Sequence, residues 1–571
     1  MSRGMPSAMA ATPNRSAGSA PAFVCGMGLA ADTLSAAFLI GTAGAIYAWG
    51  FDGLAFGLGV GAGLLLMQLL IAPGLASSRA RALPDFFAQR FDGGALRLIA
   101  SAAVVVTMAP LLVAQLMAAG LAGARLLGSG FATAVAIAGV VLVACLALKR
   151  VVGAVWLAAL VFALMLVAVL VPTIDLSSEW YGFPLPQLAY SNALWKVQEL
   201  EETLLFDELA DPTYMRTLVR PFLSLSLMNF LGLVLGVAAG TAAQAHVLAR
   251  HVMARPGREA RGGLVWALGF AALLLSATAA VAAYFRLSLM TLIAGRVEIA
   301  NLPEWVVTFG RLGLLEVCGR PATDAASVTA ACAELPDAGP VLRLQDLSVS
   351  PDMIFLALPD VAGLGAPIAG LVAAAVIVTA IVTADGPLRA LVGALLGGRE
   401  EPPQVLTCVI AAGAVALAGL AALTRPSDVL TVATWGFLLM AGGIFPALVA
   451  AVWWRRASAA GIAAGMLAGV GVGFAYLIAT RYFAVDFYET FASLSSAGPM
   501  AQEFFGEYKD AWLAAGPGAA KEAAWRMLDT QAQSMADVWG VRPVATALLA
   551  MPVSIVVLVV VSLVTPRRER G

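Results

Sequence analysis

Charge is scarce in this chain. Only 12% of its 571 residues are Asp, Glu, Lys or Arg, about half of the roughly 25% usual in soluble domains. Histidine occurs twice, at His246 and His251, and the five cysteines include no Cys-x-x-Cys pair. A clustered His/Cys metal centre is therefore excluded. A net charge of −1 leaves no basic excess for a nucleic-acid backbone. The long loops carry no Gly-x-Ser-x-Gly elbow, Walker loop or His-rich metal set, so neither an enzyme nor a resident cofactor is expected.

What the chain has instead is apolar length, with 61% of its residues hydrophobic. Twelve runs are long enough for the about 20 residues that cross ~30 Å of hydrocarbon. They cover 22–48, 54–75, 96–127, 131–148, 151–174, 224–247, 264–293, 364–396, 405–423, 429–454, 457–478 and 545–565, and are called spans 1 to 12. They are continuous and rich in Leu, Ala and Val, without the two-residue alternation of membrane strands. Helices are predicted, because lipid offers no partner to a backbone N–H or C=O group. The fold class expected is thus an all-α polytopic membrane protein.

An even number of spans puts both termini on one side. That side receives 18 basic residues and six acids, the other 14 basic residues and 27 acids. The acids gather in three long loops, 175–223, 294–363 and 479–544. Basic short loops stay in the cytoplasm, so the tails 1–21 and 566–571 are predicted cytoplasmic and the long loops external. The first 21 residues lack the apolar core of a signal peptide. Cys25, Cys145 and Cys408 read as packing residues in or beside spans. Cys318 and Cys332 share the second external loop, 14 residues apart; a disulfide and two unrelated thiols both remain open.

Four ionisable residues are left within the runs: Asp32 in span 1, Arg286 in span 7, and Asp385 and Arg389 in span 8. Arg286 can snorkel to an interface and is given no function. Intramembrane carboxylates point to function. Asp385 and Arg389, four apart, share a helix face and can pair. Either Arg389 neutralises Asp385 in a packed bundle, or Asp32 and Asp385 line a polar cavity between spans 1 and 8. Both spans look interrupted, at Gly26-Met-Gly28-Leu-Ala-Ala31-Asp32-Thr33-Leu-Ser35 and at Thr379-Ala-Ile-Val382-Thr383-Ala-Asp385-Gly386-Pro387. Span 6 has a third such stretch, Gly236 to Gly240, then Thr241, Gln244 and His246. Gly- and Pro-broken spans in matching halves indicate a midplane binding site.

These residues resemble the sodium:solute symporter family. The likeness runs through SAGSAPAFVCGMGLAADTLSAAFLIGTAG (16–44), GFDGLAFGLG (50–59), LPDFFAQRFDGGALRLIA (83–100), PLPQLAYSNAL (184–194), MNFLGLVLGVAAGTAAQAHVLARHVMARPGREAR (228–261), TADGPL (383–388) and FPALVAAVWWRRASAAGIAAGML (445–467). The chain is most similar to the large bacterial subfamily close to the cation/acetate symporters. That resemblance implies a LeuT-like core: a first five-helix repeat over 22–174, a second, inverted one over 224–454, and two peripheral helices within 455–565. It also implies a location in the bacterial inner membrane. The small two-helix membrane protein that often accompanies such symporters is an expected partner.

The resemblance further implies a sodium ion between spans 1 and 8, as coupling ion. Its ligands would be the carbonyls of Ala31, Leu34 and Thr379 and two hydroxyl positions, Val382 and Thr383. Relatives have Ser where this chain has Val382, and a hard cation prefers oxygen. Three further departures stand out: Gln244-Ala245 in place of Leu-Pro, Leu396-Gly-Gly398 in place of an SHDLY-like end of span 8, and Arg389 at a normally apolar position. Relatives also carry a helix before span 1, which a start codon assigned too far downstream would remove.

The function implied is cation-coupled symport of a small organic solute, a monocarboxylate such as acetate. The solute would lie near Ser35, Gly240, Thr241 and Gln244, with Gln115 of span 3 beside it and Asp32, Asp385 and Arg389 along the pathway. A proton carried by Asp32 or Asp385 is the alternative coupling ion. A non-transporting paralogue, acting as sensor or partner subunit, is the alternative function.

Overall fold

The computed structural model describes residues 20–75, 78, 80, 82–91, 93–147, 154–211, 218–253, 257–334, 339–397 and 403–565. The two tails, Gly398 and the short loops holding much of the basic excess, Arg79, Arg81, Lys149, Arg150, Arg255 and Arg399 among them, lie outside the described residues. Among the described residues, ten helices are long and apolar enough to cross a membrane, and two shorter apolar ones join them, Ala22–Leu34 and Phe131–Ala147. One of the ten, Ala36–Leu75, bends through Gly50–Gly53 and supplies both the outer half of span 1 and span 2. All twelve apolar runs are thereby helical.

Two spans outrun the hydropathy signal. Span 5 continues to Tyr181 and span 6 to Met253. Each apolar run stops where charge appears, at Asp175 and at Arg250, but a helix needs only that such side chains find partners. Span 6 gets there through a wider-wound π-helical stretch, Leu248–Met253.

Helix neighbours reveal the repeat. The inner half of span 1, Ala22–Leu34, packs on spans 5 and 7, while the outer half of span 6, Leu227–Ala242, packs on spans 10 and 2. Span 3 lies against spans 8, 4 and 10; span 8 lies against spans 3, 9 and 5. Exchanging 1 with 6, 2 with 7, 3 with 8, 4 with 9 and 5 with 10 converts one set of neighbours into the other. Five crossings per unit is an odd number, so the second unit enters the membrane from the opposite face. Spans 11 (Ala459–Tyr482) and 12 (Ala547–Val564) pack chiefly on each other beside this core.

Close approach at glycine presses both broken spans onto span 10. A Cβ at Gly41 would lie 2.3 Å from the Leu430 Cβ, and one at Gly240 2.3 Å from the Phe437 carbonyl oxygen. Small residues let membrane helices approach backbone to backbone.

The loops expected outside are largely helical, with one small antiparallel sheet ordered β2-β1-β3 from β1 (Leu315–Val317), β2 (Arg320–Pro321) and β3 (Leu347–Val349). Cys318 and Cys332 are joined as a disulfide beside it. Arg286 does not snorkel. Its guanidinium donates to Glu201 at 2.9 Å, both side chains buried, and so fastens the loop helix Pro186–Phe206 to span 7. Asp52, fully buried, accepts from the backbone N–H groups of Phe222, Ser224 and Leu225 at 2.7–2.9 Å and anchors the chain as it enters span 6.

Asp352 plays the same part at the entry to span 10, where both its carboxylate oxygens accept from the Val429 N–H. Burial and the neighbouring Asp428 carboxylate push Asp352 up to about 8, against the Val429 N–H and Arg425, which pull it down. The folded protein thus holds a proton here that the unfolded chain releases near pH 4. Its contribution to stability is complete below pH 4, declines as pH rises and is lost past about 8. Asp352→Asn keeps an acceptor and removes the titration. Its melting temperature in detergent is expected to exceed wild type at pH 8, the gap closing toward pH 4.

Candidate functional site

Span 1 breaks at Ser35, whose backbone (φ 38°, ψ 164°) is one that a non-glycine residue rarely adopts. The break is supported locally. The Ser35 N–H donates to the Ala31 carbonyl at 2.9 Å, and its hydroxyl accepts from the Phe38 N–H at 3.4 Å. Span 6 breaks between Ala242 and Ala245, where Gln244 takes a non-helical conformation (φ −59°, ψ 109°). Span 8, expected to be interrupted within 379–387, is not: Ala366–Leu396 is one continuous helix with Pro387 inside it, since proline there removes one backbone donor without ending the helix. Four polar side-chain atoms are buried near these breaks without a hydrogen-bond partner: Thr241 Oγ1, Gln244 Oε1, His246 Nδ1 and Thr379 Oγ1. Native proteins rarely leave such atoms unsatisfied, and an ion or ligand is a common reason.

Span 3 closes this region. Gln115 is buried, and its side-chain oxygen accepts from the Ala37 N–H, just past the break, at 3.3 Å. The same oxygen lies 3.2 Å from the Thr383 hydroxyl of span 8. Spans 1, 3 and 8 therefore meet at one amide. Val382 is half-buried and packs against the apolar core.

A charged network lies on one side of the breaks, the side on which span 1 begins. Arg250 donates to both oxygens of Asp32 at 2.8 Å and to Asp385 at 3.1 Å. Arg389 donates to both oxygens of Asp385 at 2.9 Å, the pairing that the four-residue spacing suggested. His251 Nε2 is 2.8 Å from the second Asp32 oxygen. The π-helical stretch is what lets consecutive residues, Arg250 and His251, reach one carboxylate. His246 rests against Gly386, where a Cβ would come within 2.5 Å of the imidazole ring. The inner halves of spans 1 and 6 are thereby tied to span 8 and cannot part without breaking buried ion pairs.

Most of the residues singled out in the sequence come together here. Asp32, Asp385 and Arg389 share the charged network; Gln115, Thr379 and Thr383 form a neutral cluster beside the Ser35 break; Gly240, Thr241 and Gln244 make the span 6 break. The Ala31 carbonyl is engaged by the Ser35 N–H, and Leu34 ends the inner half-helix. Arg250 corrects the sorting of charges: placed among the short-loop cations, it is in fact within span 6 and holds both intramembrane acids. His251 was likewise missed. A signal existed, since the only two histidines of the chain bracket Arg250 within 246–251.

Comparison with known proteins gives the following. The profile of the sodium:solute symporter family matches residues 15–301, half of the chain. An uncharacterized symporter of Cupriavidus necator is 27% identical over 656 aligned positions, spanning 96% of this chain and 86% of that protein. The uncharacterized symporter YwcA of Bacillus subtilis is 27% identical over 247 positions, 43% of this chain and 45% of its own. Among solved structures, a Na+-coupled sialic acid symporter in a substrate-bound outward-open state superposes with a TM-score of 0.49 at 14% identity, covering 81% of this chain and 84% of that one.

Removing one member of a buried ion pair costs about 3–5 kcal/mol, because a charge is left uncompensated. Arg250→Ala is expected to lower the melting temperature and to free the inner half of span 1. With Cys145 and Cys408 changed to serine, Cys25, buried in that half, should react faster with a maleimide in the variant. Adding Asp32→Asn should recover part of the stability. Equal Cys25 reactivity with and without Arg250 would show that the network does not hold this side shut.

Proposed function

The chain belongs to the sodium:solute symporter family, and from that premise we propose that it moves a monocarboxylate such as acetate together with sodium by alternating access. Cation-coupled symport is what the family does. The particular ion and solute are our reading.

The observation that carries the reading is the coincidence of two helix breaks with buried polar atoms lacking partners inside the protein. Such breaks turn backbone carbonyls and helix ends toward the middle of the bundle. In this reading Ala31, Leu34, Thr379 and Thr383 hold the ion, with Val382 at the position where relatives offer a hydroxyl. Ser35, Gly240, Thr241 and Gln244 meet the solute. The N-terminus of the half-helix Ala36–Trp49 faces the same region and favours a carboxylate through its dipole.

Sodium is preferred over a proton for a structural reason. Asp32 and Asp385, the candidate proton carriers, are both engaged by arginine. Arg250 and the acids it holds serve as the inner gate. We place the protein in the bacterial inner membrane with both termini cytoplasmic and a small two-helix membrane protein as companion. No cofactor beyond the coupling ion is required.

Purified protein in proteoliposomes is expected to take up radiolabelled acetate under an inward sodium gradient, insensitive to a protonophore. Uptake driven by a proton gradient alone would overturn sodium coupling. No movement of acetate, propionate, lactate or pyruvate under either gradient would favour the non-transporting paralogue. Gln244→Leu removes an unpartnered acceptor and should raise the solute KM by about tenfold, the worth of one hydrogen bond. Val382→Ser restores a hydroxyl and should strengthen the sodium dependence.

A further inference from the structure

Span 10 ends in a tight turn. The Ala457 N–H donates to the Trp454 carbonyl at 3.2 Å, which puts Arg455 and Arg456 at the two tip positions, both exposed. Among the described residues neither guanidinium has an ion-pair or hydrogen-bond partner. A third arginine reaches the same helix end: Arg90 Nε donates to the Ala451 carbonyl at 3.0 Å. The acid of its own helix Leu83–Phe91, Asp85, is engaged by Arg97.

Folding brings a second stretch of chain to this turn. The hydroxyl of Ser458, the cap of span 11, meets that of Thr565 at the end of span 12 at 2.7 Å. The Ser458 N–H donates to the Ser562 hydroxyl at 3.3 Å. Gly461 permits this approach, since a Cβ there would collide with the Ser562 hydroxyl. The contact joins residues 107 apart in the chain, and with them two basic stretches. Beyond Thr565 the sequence carries Arg567, Arg568 and Arg570 against one acid, Glu569.

Apolar surface adjoins the charge. Trp453 is more than half exposed, yet its ring is held in place, because the indole N–H donates to the Leu70 carbonyl of span 2 at 2.7 Å. Val560 and Val564, at the end of span 12, are also more than half exposed. The helix Phe445–Trp453 packs against spans 11 and 12, so these apolar side chains flank the arginine turn. A soluble anion gains nothing from such neighbours. An amphiphile does, with its charge on the arginines and its chains along the apolar flank.

We propose that the turn between spans 10 and 11, beside the end of span 12, binds the phosphate headgroup of an anionic phospholipid. Arg455 and Arg456 are its principal ligands, because a guanidinium pairs with phosphate oxygens through two parallel hydrogen bonds. Trp453 lies where headgroup gives way to chain, the depth that tryptophan favours. Basic clusters beside a span attract anionic lipid, each cation adding to the affinity. The bound lipid would brace the ends of spans 10, 11 and 12 together. This inference does not depend on which ion or solute the protein moves.

The test reads lipid binding without transport. Full-length protein in dodecyl maltoside is titrated at constant salt with phosphatidylglycerol or with phosphatidylcholine, and the melting temperature is followed. Wild type is expected to be stabilised saturably by phosphatidylglycerol and far less by phosphatidylcholine. Arg455→Gln combined with Arg456→Gln is expected to raise the half-saturating phosphatidylglycerol fraction by about tenfold or more. Arg526→Gln, which removes an exposed arginine from the loop helix Ala519–Met535, should leave it within twofold. Equal stabilisation by the two lipids would overturn the proposal, and so would a midpoint within twofold of wild type in the double variant. Sodium phosphate that reproduces the stabilisation at matched ionic strength would assign the turn to a soluble anion and refute the lipid site. Should the double variant fail to fold, Arg456→Gln alone decides, with a shift of about fivefold expected.

Discussion

A broken helix inside a membrane must find partners for the backbone groups that the break exposes, because lipid supplies none. This chain breaks two. Much of its architecture serves to hold those breaks: the Ser35 hydroxyl and the Gln115 amide at the first, and the packing of Gly240 on the Phe437 carbonyl beside the second. Span 6 is the most enclosed of the long spans described, as expected for the element carrying a break through the centre of the bundle.

Charged and neutral polar groups are kept apart around the breaks. The ion pairs of Arg250, Asp32, Asp385, Arg389 and His251 lie on one side of the breaks, where they join spans 1, 6 and 8. The oxygens of Gln115, Thr379 and Thr383 lie level with the Ser35 break and carry no formal charge. A buried ion pair adds little net stability but is costly to half-dismantle.

The face that carries the long loops is braced by a separate set of contacts. Arg286 with Glu201 fixes one loop helix over span 7, and Arg125 with Asp360 fixes the helix Ile354–Val361 over the end of span 3. Asp52 and Asp352 each accept backbone N–H groups at the entry to a span. The disulfide and the three-stranded sheet stiffen the same loop.

Twelve apolar runs, the helical fold class, the interruptions in spans 1 and 6 and the pairing of Asp385 with Arg389 were legible in the sequence, because each depends on local composition or on spacing along one helix. The symporter family was legible from motifs. What the sequence could not show is contact between residues far apart in the chain. Arg250 reads as a loop cation because hydropathy falls at its position, and only packing beside Asp32, 218 residues away, makes it part of the membrane interior. Gln115 reads as a generic polar residue until the fold sets its oxygen between the Ala37 N–H and the Thr383 hydroxyl. Apolar length is a local property, so the sequence by itself determined that the chain crosses the membrane. Gly and Pro flagged the breaks in spans 1 and 6 but also one in span 8, which runs unbroken over Ala366–Leu396. Partnership among buried polar groups depends on which helices touch, and that was decided by the tertiary structure alone.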